Sequence, residues 1–448
     1  MSSAAGGSVA NNTPAPVRLP SLLDTDLYKL TMQQAVLRHF YDAKVTYKFT
    51  NRNKKMRFTP GCVAAIKDGI DHLSSLRLTR EEREWLQATC PYLRTDYLDY
   101  LEAFRYVPNE QVAVHFEQDE DGLGSLSLEV FGYWRDVIMY EVPVMAIISE
   151  AYFVHVDTDW SGDDQESRAT SKGEQLFKGG VMLSEFGTRR RRSYATQDSV
   201  IKGLIAAAES APQDTSYGRL LGTSNVHLAR IHNLLPVGTI AHEWTMGIAG
   251  LSGYTGVNRH ALHLWDQVYQ PPAYTPKGPA DDLTIALTDT FSTRVFWDDL
   301  LADEQGVEML RRWRGLRQDS GDSRAFVQRA VETYRKIGVD PGTKLVVFSD
   351  GLDVPRCLEL LAYSREAGIR AGFGVGTNLT NDFVKQSDPT AKSPPLNMVI
   401  KLDSINGHHT VKISDELTKN TGDPDEVAYV QANSMVKRRF GLAEVEDA

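Results

Sequence analysis

From about residue 173 onward the chain alternates in a way that limits its folding options. Short apolar runs stop at Gly, Ser or Asp, and longer amphipathic stretches follow them. Residues 181–183, 284–287, 345–348 and 369–373 are such runs, and residues 199–210 and 326–337 have helical periodicity. This order favours parallel strands joined by helices. In parallel barrels the reactive groups lie at the C-terminal ends of the strands. Here polar clusters repeatedly follow the apolar runs.

The first third reads differently. A helix is predicted over residues 25–37, a strand over 45–50, and a charged helix over 80–89 that Pro91 would end. Residues 126–131 and 142–148 read as strands, and the polar stretch 161–173 as a boundary. Later, Asn406-Gly407 between two apolar pairs signals a hairpin turn. At 448 residues the chain has room for a large barrel and a smaller domain. The expected division is a disordered tail (1–20), an N-terminal domain (21–165), an α/β barrel (166–415) and a C-terminal extension (416–448), with order starting near Leu22.

Composition narrows the function classes. A net charge of −10 disfavours a general nucleic-acid or anionic-membrane binder, since both require a basic surface. No run of about 18 apolar residues reads as a membrane span. Cys62, Cys90 and Cys357 have no metal-ligand spacing, which points to unpaired thiols in a reduced compartment. A cytoplasmic location is expected, with the nucleus also compatible.

Five motifs carry chemistry. In Glu185-Phe186-Gly187-Thr188-Arg189-Arg190-Arg191-Arg192, an aromatic ring suited to stacking on a planar ligand precedes arginines that can fork onto carboxylate or phosphate. A solvated basic loop is the plainer reading. In Arg317-Gln318-Asp319-Ser320-Gly321-Asp322 a cation for phosphate adjoins carboxylates for ribose hydroxyls or magnesium, although Ser320 or Asp322 would also serve as a helix cap. Gly374-Val375-Gly376-Thr377 offers backbone N–H groups and a hydroxyl to phosphate, or makes an ordinary tight turn. Asp350 and Asp289 each follow an apolar run, as a cap also would. His242, in Ala241-His242-Glu243-Trp244, heads an apolar stretch; a zinc-protease HExxH motif fails because Met246 stands at the second histidine position. No metal ligand set is directly predicted, and His408-His409 reads as exposed strand.

Together with the segment 25–32 and Gly222-Thr223-Ser224-Asn225, these motifs resemble nicotinate phosphoribosyltransferase from about Leu22 to Asp423. The resemblance implies an α/β fold: an irregular (β/α) barrel with a smaller, mostly β N-terminal α+β domain. It implies a homodimer with a shared site. The reaction implied takes nicotinate and phosphoribosyl pyrophosphate to nicotinate mononucleotide and pyrophosphate in NAD salvage. ATP is the co-substrate, Mg2+ is substrate-bound, and His242 is the residue phosphorylated. Tyr28 of the neighbouring subunit and Phe186 would sandwich the pyridine ring, with Arg189 on its carboxylate and Arg191 assisting. Arg52, Arg317, Asp319, Asp350, Gly374, Gly376 and Thr377 would hold ribose and phosphates, and Asp289 would support the ribose or His242. Ser224 favours nicotinate, because the nicotinamide branch places an acid there that would repel a carboxylate.

Two other readings compete. Asp24-Thr25-Asp26 faintly resembles the aspartate pair of haloacid-dehalogenase phosphatases, but Tyr28 stands where that motif has Thr or Val. A metabolite-binding protein that kept the fold without catalysis is the other.

Overall fold

The computed structural model describes residues 15–212, 214–238, 240–269, 283–416 and 420–432. It is an α/β protein whose described strands form two large sheets and one two-stranded ladder. The strands are β1 (Lys44–Asn51), β2 (Val112–Gln118), β3 (Gly124–Tyr133), β4 (Met182–Glu185), β5 (Arg219–Thr223), β6 (Ile285–Leu287), β7 (Gly315–Gln318), β8 (Leu345–Phe348), β9 (Arg370–Val375), β10 (Phe383–Val384), β11 (Lys392–Ser393), β12 (Met398–Ile405) and β13 (His408–His409).

The alternating half folds as expected. Six parallel strands run in the order β5-β4-β9-β8-β7-β6, with helices Tyr194–Ser210, Ser323–Lys336 and Val354–Ala367 among their connections. The sheet is open: among the described residues no ladder joins β5 to β6. This gap is where the barrel is irregular. The helix starts carry their own signals. Asp322 accepts from the backbone N–H groups of Arg324 and Ala325, and Asp353 from that of Arg356.

The other sheet is antiparallel, in the order β13-β12-β1-β3-β2. Its membership corrects the expected domain division. β12 and β13 belong to the span assigned to the barrel, yet β12 pairs with β1 from Val45 opposite Ile405 to Asn51 opposite Met398. Two-sided pairing buries β1 at the centre of the sheet, so the first domain is completed by residues nearly at the other end of the chain. The Asn406-Gly407 turn is as expected, with φ of 48° and 82°.

Two further expectations are overturned. Residues 142–148, read as a strand, lie in helix Glu141–His155, because a continuous apolar run suits a helix buried on all sides as well as a buried strand. With the short turns before it, Trp134–His155 has the length and apolarity of a membrane span, contrary to the sequence expectation. Of its apolar 18-residue window 83% is nevertheless buried within the protein, and it serves as a core helix. The tail also ends earlier than expected: Val17 and Leu19 are buried in the core. Residues 1–14 lie outside the described residues, as do 433–448 of the expected C-terminal extension, which otherwise carries helix Pro424–Ala432. All three cysteines are buried and unpaired.

Candidate functional site

The ends of the six parallel strands supply most of the expected residues. β4 leads into Phe186 and the arginines, β5 into Ser224, β6 into Asp289, β7 into Asp319, β8 into Asp350, and β9 into Gly376 and Thr377. Strand geometry explains the clustering, since parallel strands in register deliver their following loops to one edge of the sheet.

His242 is the first residue of helix His242–Ser252 and is almost fully buried. Its Nδ1 lies 3.0 Å from Thr290 Oγ1, and its Nε2 lies 3.2 Å from Asp319 Oδ2 and 3.8 Å from Asp289 Oδ1. Burial, reinforced by the Lys412 ammonium, pushes the imidazole down to about 4 against the pull of the two aspartates. The ring is therefore neutral near pH 7. Asp289 Oδ2 accepts from Lys412 Nζ at 3.0 Å and from Ser320 Oγ at 2.6 Å, while its Oδ1 is buried without a hydrogen-bond partner on the His242 side. Burial would raise the carboxyls of Asp289 and Asp319, but His242 and Lys412 hold the first low and Arg317 holds the second low.

Donor atoms of His242, Asp289 and Asp319 lie within 4.8 Å of one another. Two ionised carboxylates, one with an unpartnered buried oxygen, fit a hard divalent cation such as magnesium.

Arg317 links this cluster to the ring-binding end. Its Nε donates to Ser349 Oγ at 2.8 Å, it contacts Asp319 Oδ1 at 3.2 Å, and its guanidinium lies 6.0 Å from the centre of the Phe186 ring. The glycines expected to cradle phosphate have a different nearest neighbour. A Cβ on Gly374 would stand 2.3 Å from the Phe186 ring, and one on Gly376 2.8 Å from the Phe186 carbonyl. Their first structural task is to make room for Phe186. Thr377 opens the short helix Thr377–Thr380 beside them.

The four arginines separate into distinct roles. Arg189 is partly exposed and makes only a long contact, 3.4 Å, to Glu141 Oε1. Arg191, expected to assist with the carboxylate, is instead sealed in the core. It donates to both oxygens of Asp24 at 2.8 and 2.7 Å and to Gln197 at 3.1 Å. Its Nη1 and Nη2 are engaged by Asp24 and Gln197 and the whole side chain is buried, so the assisting role is withdrawn. Arg192 is also buried, stacked against Phe153 and Phe383. Arg190, to which the sequence assigned no role, is partly exposed and lies in the electrostatic reach of Arg52, Asp350 and Asp319. Arg52 and Asp350 are themselves exposed, placing them at the open side of the site.

Tyr28 is buried within its own chain. Its hydroxyl donates to Glu141 Oε2 at 3.2 Å, so one protomer already brings Tyr28 and Arg189 to a common carboxylate. Ser224 donates to Asp26 Oδ1 at 2.8 Å. An acid therefore does lie beside Ser224, and burial pushes its carboxyl up, toward the neutral form. Asp24 has no exposure, and its oxygens are taken by Arg191 and Asn225, which removes the phosphatase nucleophile reading. His408 and His409 are exposed on β13, as expected.

Reasoning from sequence missed Lys29, Glu141, Glu243, Thr290, Lys401 and Lys412. Lys29 and Glu243 were visible as charges inside recognised motifs. Glu141 stands just before the apolar run 142–148 misread as a strand, and Lys401 reaches the neighbourhood of Arg189, Glu141 and Lys412 only through the distant pairing of β12.

Comparison with known proteins agrees with this fold. Residues 181–438 match the model of the nicotinate phosphoribosyltransferase (NAPRTase) family, and residues 23–149 match that of its N-terminal domain. A Schizosaccharomyces pombe protein named probable nicotinate phosphoribosyltransferase is 43% identical over 92% of this chain and 96% of its own. A Saccharomyces cerevisiae nicotinate phosphoribosyltransferase is 40% identical over 92% of this chain and 94% of its own. Among solved structures, a Porphyromonas gingivalis nicotinate phosphoribosyltransferase superposes with a TM-score of 0.80 at 34% identity, covering 94% of this chain and all of that one.

Proposed function

The chain belongs to the nicotinate phosphoribosyltransferase family, and from that premise we propose that it forms nicotinate mononucleotide and pyrophosphate from nicotinate and phosphoribosyl pyrophosphate, driven by ATP through a phosphohistidine at His242, in NAD salvage. The observation that carries the reading is the division of one strand-end site into two halves. Phe186 and Arg189 form an aromatic and cationic end, and Arg317 connects it to the His242–Asp289–Asp319 cluster.

Each half suits its task. Phe186 offers a ring face, and Arg189 offers donors that Glu141 occupies only loosely, to a pyridine carboxylate. Arg317, Arg190 and Arg52 suit the phosphates, with Asp319 and Asp350 for ribose hydroxyls. Fixing the base nitrogen against ribose C1 and excluding water are the orienting work that glycosyl transfer requires. C1 loses its bond to the pyrophosphate oxygen and gains one to the pyridine nitrogen, with positive charge building on the sugar between the two events.

A neutral imidazole has a free lone pair for the terminal phosphorus of ATP. An N–P bond forms, the bond to the ADP oxygen breaks, and hydrolysis later returns inorganic phosphate and free His242. Asp289 and Asp319 would hold Mg2+, which would neutralise phosphate charge when bound. A homodimer is supported by exposed apolar side chains in and after β5: Leu235, 61% exposed, with Leu221 and Ile231. A cytoplasmic location, with the nucleus also compatible, completes the proposal.

The test is release of pyrophosphate and mononucleotide with nicotinate, nicotinamide or no base, each with and without ATP. Product from nicotinate with ATP supports the reading. No product from any base would favour a binding protein, and nicotinamide turnover at equal rate would remove the carboxylate specificity.

A further inference from the structure

Beside the site lies a buried ionic chain that the reaction as described does not use. Lys29, on helix Leu27–His39, has no exposed side-chain surface. Its Nζ lies 2.5 Å from Glu141 Oε2 and 2.5 Å from Glu243 Oε2. Glu243 Oε1 also accepts from the Tyr47 hydroxyl at 2.6 Å and the Trp134 indole N–H at 2.7 Å. The other oxygen of Glu141 meets Arg189 at 3.4 Å.

Two buried glutamates next to a site meant for an anion are a difficulty, because uncompensated carboxylates would repel it. Lys29 and Arg189 carry two positive charges and Glu141 and Glu243 two negative ones, so the four sum to zero. The distances show how the pairing divides. Glu141 is closer to Lys29 than to Arg189, and Arg189 has 42% of its side chain exposed while Lys29 is sealed inside.

We propose that Lys29 determines the charge specificity of the base site. Acting as a positioning residue, it neutralises Glu141 and Glu243 from the buried side, which leaves the Arg189 guanidinium available to the carboxylate of an anionic base. Lys29 touches no substrate and acts through Glu141. The inference rests on the proposed function for the identity of the anionic base.

The test compares Lys29→Gln, Lys29→Arg, Glu141→Gln and the double variant Lys29→Gln/Glu141→Gln with the unaltered full chain. The readouts are KM for nicotinate, kcat, and the competitive inhibition constant of neutral nicotinamide. One uncompensated charge at this range should raise the nicotinate KM by about tenfold or more. The nicotinamide constant should move much less. Lys29→Arg and the double variant, which restore the charge sum, should recover most of the preference. Glu141→Gln alone should strengthen the preference for nicotinate, a direction that general damage to the site would not produce.

Equal losses for both ligands, or no recovery in the double variant, would overturn the proposal. If Lys29→Gln does not fold by its melting curve, Glu141→Gln decides: an unchanged or weaker preference for nicotinate refutes the idea. Should the unaltered protein make no mononucleotide, the proposed function fails instead. Equilibrium binding of nicotinate and nicotinamide to the same variants then decides the charge inference separately.

Discussion

Replacing Arg191 with Met separates a structural arginine from a substrate-binding one. Arg191 is fully buried and places two N–H groups on Asp24, at 2.8 and 2.7 Å. Methionine fills comparable space but leaves the Asp24 carboxylate in the core with only the Asn225 amide, 2.6 Å away, as a remaining donor. Removing one partner of a buried pair costs about 3–5 kcal/mol. Two charge-assisted hydrogen bonds at roughly 1.5–3 kcal/mol each give a similar total. Against a typical stability of about 5–15 kcal/mol, the loss is a large fraction. Urea unfolding should show a marked fall in midpoint, with nicotinate KM nearly unchanged in the protein that remains folded. Arg191→Met/Asp24→Asn should recover much of the stability.

Arg189→Met should behave in the opposite way. Its contact to Glu141 is long and its side chain is partly exposed, so stability should change by less than about 1 kcal/mol while nicotinate binding collapses. The pair also fixes a pH dependence. Burial would raise the Asp24 carboxyl, but Arg191 holds it below the ordinary value of 3.8. Its stabilisation is therefore fully present above that value and is lost as pH falls through the lower folded-state value. An Arg191→Met protein that is as stable as the unaltered one, yet has a selectively raised nicotinate KM, would refute this reasoning.

His242→Ala should abolish ATP stimulation and acid-labile labelling by terminally labelled ATP, while leaving some ATP-independent transfer; persistent labelling would exclude His242 as the acceptor. In a nuclear magnetic resonance titration the His242 ring should protonate near pH 4, and a midpoint near 6.5 would contradict the burial argument. Because the folded state resists this proton, the associated stability is present above pH 6.5 and declines as pH falls toward 4. Gly374→Ala should displace Phe186, whose ring stands 2.3 Å from the added carbon, and raise nicotinate KM by about tenfold with little effect on binding of phosphoribosyl pyrophosphate. An equal loss for both substrates would return Gly374 to the phosphate side.

The parallel half was legible in the sequence because its signals are local. Apolar runs such as Leu345–Phe348 coincide with the observed strand, and Asp319 and Asp350 follow their strands where reactive groups are expected. What escaped depended on partners far away in the chain. Nothing local distinguishes Arg189 from Arg191; the difference is Asp24, which pairs with Arg191 and not with Arg189. Glu141 was hidden because a uniformly apolar run carries no periodicity to separate helix from strand. The spacing of Gly374 and Gly376 does not reveal that the Phe186 ring stands against the first and the Phe186 carbonyl against the second.

The placement of β12 also bears on how the protein is made. During synthesis β1 emerges early, but its partner strand, with Ile405 opposite Val45, arrives only when nearly the whole chain has been translated. Until then one side of β1 is an unsatisfied ribbon of backbone donors and acceptors, open to the wrong strand. Such long-range closure is slow and prone to aggregation. The same late segment carries Lys401 and Lys412 into the site. A nascent or truncated chain lacking residues from 398 onward should therefore be both poorly soluble and inert. Acquisition of solubility and completion of the site are coupled to the arrival of one strand.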